Sequence, residues 1–153
     1  MSTEVYEKTE AGGKVERELS ELLIDPTELY FGTQFRNANN ETEDSTTSTT
    51  YQQKITMSDD LVEGDSFVWM WYFEIKADLQ NKNAAGRVQV NDTETIIEIE
   101  KEGNEWSPVT GFALFVAPST GTYNADIDYR AIDGTAYIRR ARLIGWRTTV
   151  PGV

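Results

Sequence analysis

Residues 121–147 read Gly-Thr-Tyr-Asn-Ala-Asp-Ile-Asp-Tyr-Arg-Ala-Ile-Asp-Gly-Thr-Ala-Tyr-Ile-Arg-Arg-Ala-Arg-Leu-Ile-Gly-Trp-Arg, and they decide the fold. Tyr123, Ala125, Ile127 and Tyr129 alternate with Asn124, Asp126, Asp128 and Arg130, the period of two expected of a half-buried strand. Asp133-Gly134 predicts a tight hairpin turn, since Gly accepts positive φ without a Cβ clash. A last strand follows from Thr135 to Arg147. Ala136, Ile138 and Arg140 share one of its faces, and Tyr137, Arg139, Ala141, Leu143 and Gly145 the other. Both faces change character near Arg139-Arg140, which predicts a bulge or bend there.

The same period extends upstream to residue 51. Tyr51, Gln53, Ile55 and Met57 form one face of a strand, closed by Ser58-Asp59-Asp60 and Glu63-Gly64-Asp65. Phe67–Phe73 is apolar on both faces and continues through Glu74 to Leu79, the pattern of a central strand buried on two sides. Residues 81–86 predict a turn. Short strands then fall around Arg87–Val90, Glu94–Glu100 and Phe112–Ala117. About eight strands with turn signals every 8–14 residues predict an all-β antiparallel sandwich or jelly roll over residues 51–153.

The first third differs in kind. Val15, Leu19, Leu22 and Leu23 recur at helical spacing before Pro26, predicting a short amphipathic helix within an N-terminal arm of residues 1–36. So short a helix cannot stand alone in water, so it must pack on its own domain or on a neighbour. Residues 37–50, NANNETEDSTTSTT, contain one apolar residue, Ala38, and read as an exposed polar loop.

Composition narrows the chemistry. The 153 residues make about one domain, which buries roughly 68–70% of its unfolded surface. With neither Cys nor His there is no disulfide, no thiol nucleophile and none of the commonest general bases. No cofactor and no metal site are expected, and Glu41-Thr42-Glu43-Asp44 lacks the offsets of a calcium loop. A net charge of −12 argues against nucleic acid and against an anionic membrane surface. Few lysines beside 26 Asp and Glu also suit a high-salt setting. The acidic start, without an apolar run, does not read as a signal peptide. Carboxylates at Glu94, Glu98, Glu100, Asp126 and Asp128 sit on polar strand faces, where solvation rather than catalysis is expected, so no enzyme is expected.

Two features could serve binding. Trp106, between Glu105 and Ser107 in a polar loop, is the one candidate for an exposed sugar-stacking platform; Trp69 and Trp71 read as core. Half of the eight Arg lie in the last strand. Arg139, Arg140 and Arg142 could pair with the chain's own carboxylates or with an acidic surface of a neighbouring subunit.

The C-terminal third, with Gly121-Thr122-Tyr123, Ile127-Asp128-Tyr129-Arg130 and Gly134-Thr135-Ala136-Tyr137-Ile138-Arg139-Arg140-Ala141-Arg142, resembles the closing strands of small jelly-roll proteins on tailed-virus particles. The aromatic segment Val68–Lys76 is similar to their long inner strand. The likeness covers about residues 50–148, and its motifs are structural rather than catalytic. It implies a virion protein that decorates the major capsid shell, or a head or tail appendage, commonly as a homotrimer reaching the shell or a neighbour through an N-terminal arm. On that reading Val15, Leu19, Leu22, Leu23, Leu29, Tyr30 and Phe31 are the docking residues, with the arginines as a second contact. The chain lacks the collagen-like repeat of head fibres. A carbohydrate-binding or receptor-binding module is the alternative.

Overall fold

The computed structural model describes residues 36–148. The helix expected around Val15–Leu23, and Leu29, Tyr30 and Phe31 with it, lie outside the described residues. Nine strands run in chain order: β1 (Arg36–Asn40), β2 (Asp44–Thr46), β3 (Gln52–Leu61), β4 (Ser66–Ala77), β5 (Asn83–Val90), β6 (Glu94–Glu102), β7 (Ser107–Val116), β8 (Gly121–Ala131) and β9 (Ala136–Arg147).

Their pairing is nested. β5 pairs with β6, β4 with β7, β3 with β8, and both β1 and β2 with β9, each antiparallel. That is one long hairpin of four concentric pairs, with β1 and β2 acting as a single broken strand. Rolling it brings β9 beside β4 and β8 beside β5, giving a five-stranded sheet (β1 and β2, β9, β4, β7) over a four-stranded one (β3, β8, β5, β6). The result is an eight-position jelly roll.

The aromatic strand is central, as its composition predicts. Phe67, Trp69, Trp71, Phe73, Ile75 and Ala77 face inward from β4 and are buried. A file of rings crosses the core: Trp69 lies 4.9 Å from Phe115, which lies 5.1 Å from Tyr123. Small residues make room for these rings. A Cβ on Gly86 would lie 2.6 Å from Phe73, and one on Gly111 2.7 Å from Trp71. Hence Asn83–Gly86, read from sequence as a turn, belongs to β5. Gly86 is there because Phe73 and Ile75 pack onto it, and Ala84 joins the same core.

Two further expectations change. The polar stretch 37–50 contains β1 and β2; it remains mostly exposed, as a sheet edge can be, and takes its order from backbone pairing with β9. Ala38 packs against the core, and the buried Lys54 ammonium donates to the Thr42 carbonyl at 2.8 Å and pairs with Asp44. Asp133-Gly134 does not close a hairpin, because β8 and β9 belong to different sheets. Gly134 does take positive φ, at 77°, but the turn is an arch between sheets. Its ends are tied to Asn83, whose amide donates to Asp133 Oδ1 at 2.6 Å.

The bend at Arg139-Arg140 is present. Arg140 has φ of 51°, and the β4–β9 register slips between Tyr72 and Glu74. Ile138 before the bulge and Ala141 and Leu143 after it therefore all point inward. A second bulge, between Gln53 and Ile55 in β3, breaks the alternation read there and turns Lys54 and Ile55 both to buried positions. Ser58-Asp59-Asp60 does not end that strand. It continues to Leu61, with Asp59 facing inward to pair with Arg36 at 3.6 Å.

Candidate functional site

The outer face of the five-stranded sheet carries two contrasting regions. The first surrounds the bulge in β9. Glu74 of β4 is buried although it points away from the core, because cations and an aromatic close over it. Arg139 Nε donates to Glu74 Oε1 at 2.6 Å, Arg140 to Oε2 at 3.2 Å, and the Tyr72 hydroxyl to Oε2 at 2.5 Å. Burial alone would raise the Glu74 carboxyl. The hydrogen bonds from Tyr72 and Arg139 and the two guanidinium charges outweigh it and hold the group below its ordinary value.

The cluster extends through aromatic faces. Arg139 stacks on Trp106 at 4.2 Å from the ring centre, and Lys76 lies 4.8 Å from the same ring and 5.3 Å from Tyr137. Arg142 makes two parallel bonds to Glu41, at 2.7 and 3.1 Å, across the junction of β1 and β2. Arg147 pairs with Asp65 at 3.0 Å. The arginines of β9 thus serve the fold first. Arg140 and Arg142 keep about half of their side-chain surface exposed and can still meet a partner. Trp106 is half-buried, with Arg139 and Lys76 by its ring. Beside it, Gln80, Glu102, Gly103, Asn104, Glu105 and Ser107 line a shallow open depression.

The second region is apolar. Met70 of β4 is 42% exposed, and Phe112, Leu114 and Val116 of β7 are 73, 63 and 53% exposed. The register places Met70 opposite Phe112 and Ile144, and Val68 opposite Leu114 and Trp146, so these side chains share one face. Sequence reading took Phe67–Phe73 as covered on both sides. Among the described residues nothing covers the outer side of Met70. The signal was a strand apolar on both faces, and it cannot distinguish burial within the domain from burial against something else.

On the other sheet, the outer face of β8 departs from the expectation of solvated carboxylates. Asp126 and Asp128 are only 2 and 4% exposed. Burial pushes both carboxyls up. Arg87, bonded to Asp128 at 2.8 Å, partly offsets the shift there, as does a hydrogen bond from Thr56 at Asp126. Asp126 Oδ1 and the Gln89 carbonyl opposite it lack a hydrogen-bond partner among the described residues. Arg87 also stacks 4.1 Å from the Tyr51 ring, roofing this patch. Glu94, Glu98 and Glu100 on β6 are exposed, as expected. Among the described residues no group of three or more Asp or Glu is placed to hold a metal ion.

No family model matches the sequence, and no curated protein matches it. Solved structures resemble parts of the chain. Dimeric latent PorU from Porphyromonas gingivalis superposes with a TM-score of 0.50 at 9% identity, over 78% of this chain and 13% of that one. The structure of infectious bursal disease virus, Gx strain, gives 0.47 at 8% identity, over 77% of this chain and 32% of that one. The C-terminal family 22 carbohydrate-binding module of Clostridium thermocellum Xyn10B gives 0.39 at 12% identity, over 84 and 96%. The chain therefore spans well under two thirds of the first two. Identities this low speak to architecture alone, and the superpositions under a TM-score of 0.5 add nothing to what the sheets show: an antiparallel β-sandwich of jelly-roll type.

Proposed function

We propose that this chain is a non-catalytic virion structural protein of a tailed virus. It decorates the major capsid shell, or serves as a head or tail appendage, in several copies arranged as a homotrimer. The observation that carries the reading is the outer sheet face, where Phe112, Leu114, Val116 and Met70 stand in water on a chain otherwise rich in carboxylates. A contiguous apolar patch of this kind marks a surface meant to be covered. Residues 1–36 supply a second contact, with Val15, Leu19, Leu22 and Leu23 reaching the shell or a neighbouring subunit, and Arg140 and Arg142 add charge at the rim. Spread over many copies on one shell, modest contacts add through avidity. The acidic surface keeps the unassembled protein soluble.

Cosedimentation of the purified chain with shells lacking it tests the reading. The full chain should pellet with the shells and the variant lacking residues 1–25 should not. Equal pelleting of the two would remove the arm from the docking residues, and no pelleting of either would remove the function.

The half-buried Trp106 beside a depression lined by amide and carboxylate groups favours a second reading, a glycan-binding appendage. It requires that Trp106→Ala abolish retention on a glycan array while circular dichroism stays unchanged. Failure of the unaltered chain to retain any glycan would end it.

A further inference from the structure

We propose that the apolar outer face formed by Val68 and Met70 of β4 and Phe112, Leu114 and Val116 of β7 is where a second copy of this chain docks. The inference deepens the assembly reading above and rests on it for its purpose, while the residues that carry it all lie in β4 and β7.

Three observations point to this occupant. The first is area. At roughly 200 Å² per large side chain, the four exposed residues present about 450 Å² of apolar surface. Half-buried Val68, Tyr72 and Ile144 extend it, toward the ~800 Å² that each side of a standard protein interface buries. A single short segment would leave much of it in water. A folded domain would not.

The second is the edge. β7 ends its sheet, pairing among the described residues with β4 alone, and none of its ten residues from Ser107 to Val116 is charged. A long, uncharged edge is a template for another chain. The opposite sheet ends in β6, whose nine residues include Glu94, Glu98, Glu100, Lys101 and Glu102 and which is thereby guarded. Among the described residues β6 is guarded by charge along its length, whereas β7 carries no charge and has Pro108, near its start, as its one blocking residue.

The third is charge. Two chains of net charge −12 repel wherever carboxylates face each other. The stretches Val68–Tyr72 and Thr110–Val116 bring no charge to the contact, so copies can approach there with least Coulomb cost. Added salt, by screening the remainder, should strengthen the association rather than weaken it.

The chain contains no cysteine, so Leu114→Cys introduces a unique thiol. In the full chain, a short bis-maleimide should join two copies through Cys at 114, whereas the control Glu98→Cys, on the other sheet, should stay uncrosslinked. By light scattering the unaltered chain should show a multiple of 17.3 kDa, larger at high salt. Phe112→Asp combined with Leu114→Asp should return the mass to one copy with unchanged circular dichroism. A single-copy mass for the unaltered chain at both salts would overturn the inference. So would crosslinking at 114 no greater than at 98; if the thiol at 114 were then also shielded from a mono-maleimide, residues 1–35 or a foreign partner would be the occupant. A monomer that still pellets with shells would end this inference and leave the function standing. An oligomer that ignores shells would do the reverse.

Discussion

Replacing Glu74 with Gln keeps the shape of the side chain and removes its charge from beneath Arg139 and Arg140. Three hydrogen bonds converge on this carboxylate, two of them from guanidinium groups at 2.6 and 3.2 Å. Hydrogen bonds to charged partners contribute ~1.5–3 kcal/mol each when desolvated. The arginines, however, are about one third and one half exposed, so solvent screens them and the sum must be discounted. Gln also retains one acceptor oxygen. A net loss of about 1–2 kcal/mol at neutral pH follows. With a urea m-value near ~1.5 kcal/mol/M, the unfolding midpoint should fall by about 1 M with m unchanged.

The sign of the pH dependence is fixed by the direction of the shift. The folded-state value of Glu74 lies below its ordinary 4.5, so its contribution is complete above that value and disappears as pH falls through the lowered one. The parent and Glu74→Gln should therefore differ at neutral pH, and the difference should shrink in acid as pH falls through the lowered value. A difference of the same size in acid as at neutral pH would mean that packing, not charge, holds the cluster. No difference at neutral pH would mean that the ion pairs contribute nothing to stability.

Other outcomes follow from the same geometry. Asp59, Asp126 and Asp128 titrate above their ordinary 3.8 because burial disfavours their charge, which gives them the opposite sign: stability they withhold at neutral pH returns as pH falls through their raised values. The melting temperature should accordingly rise from about pH 7 to mildly acidic values before falling as Glu74 protonates, and Asp126→Asn should raise it at neutral pH and flatten that limb. A melting temperature that declines steadily on acidification would contradict the burial of these carboxylates. Gly86→Ala should cost about 1–3 kcal/mol in urea unfolding, because its Cβ would press on a fully buried Phe73 that has nowhere to move. A cost under about 0.5 kcal/mol would show a looser core than the structure describes.

Alternation made the sandwich legible where one face meets water and the other the core, as in Tyr123–Arg130. The bulge was legible because Ala136 and Ile138 fall out of phase with Ala141 and Leu143. What was lost depended on partners distant in sequence. β1 and β2 carry almost no hydrophobic signal; their order comes from pairing with β9, a hundred residues away. Ala84, Ala85 and Gly86 look like a turn until Phe73 and Ile75 are seen to pack on Gly86 and Ala84 to join the core. Asp133-Gly134 identified the reversal of the chain and not which sheet each arm joins. The candidate site divides in the same way. Self-pairing of the β9 arginines was one of two readings open in the sequence. The exposure of Phe112 and Leu114 was not readable, since an apolar strand looks alike whether its own domain covers it or another does.

The most direct test of the account is the composition of purified particles. Virions isolated on a density gradient from the source of this sequence, analysed by quantitative mass spectrometry, should contain the chain at a fixed ratio to the major shell protein that survives repeated washing. Its absence from such particles, or a ratio that falls with each wash, would contradict the assignment to the virion.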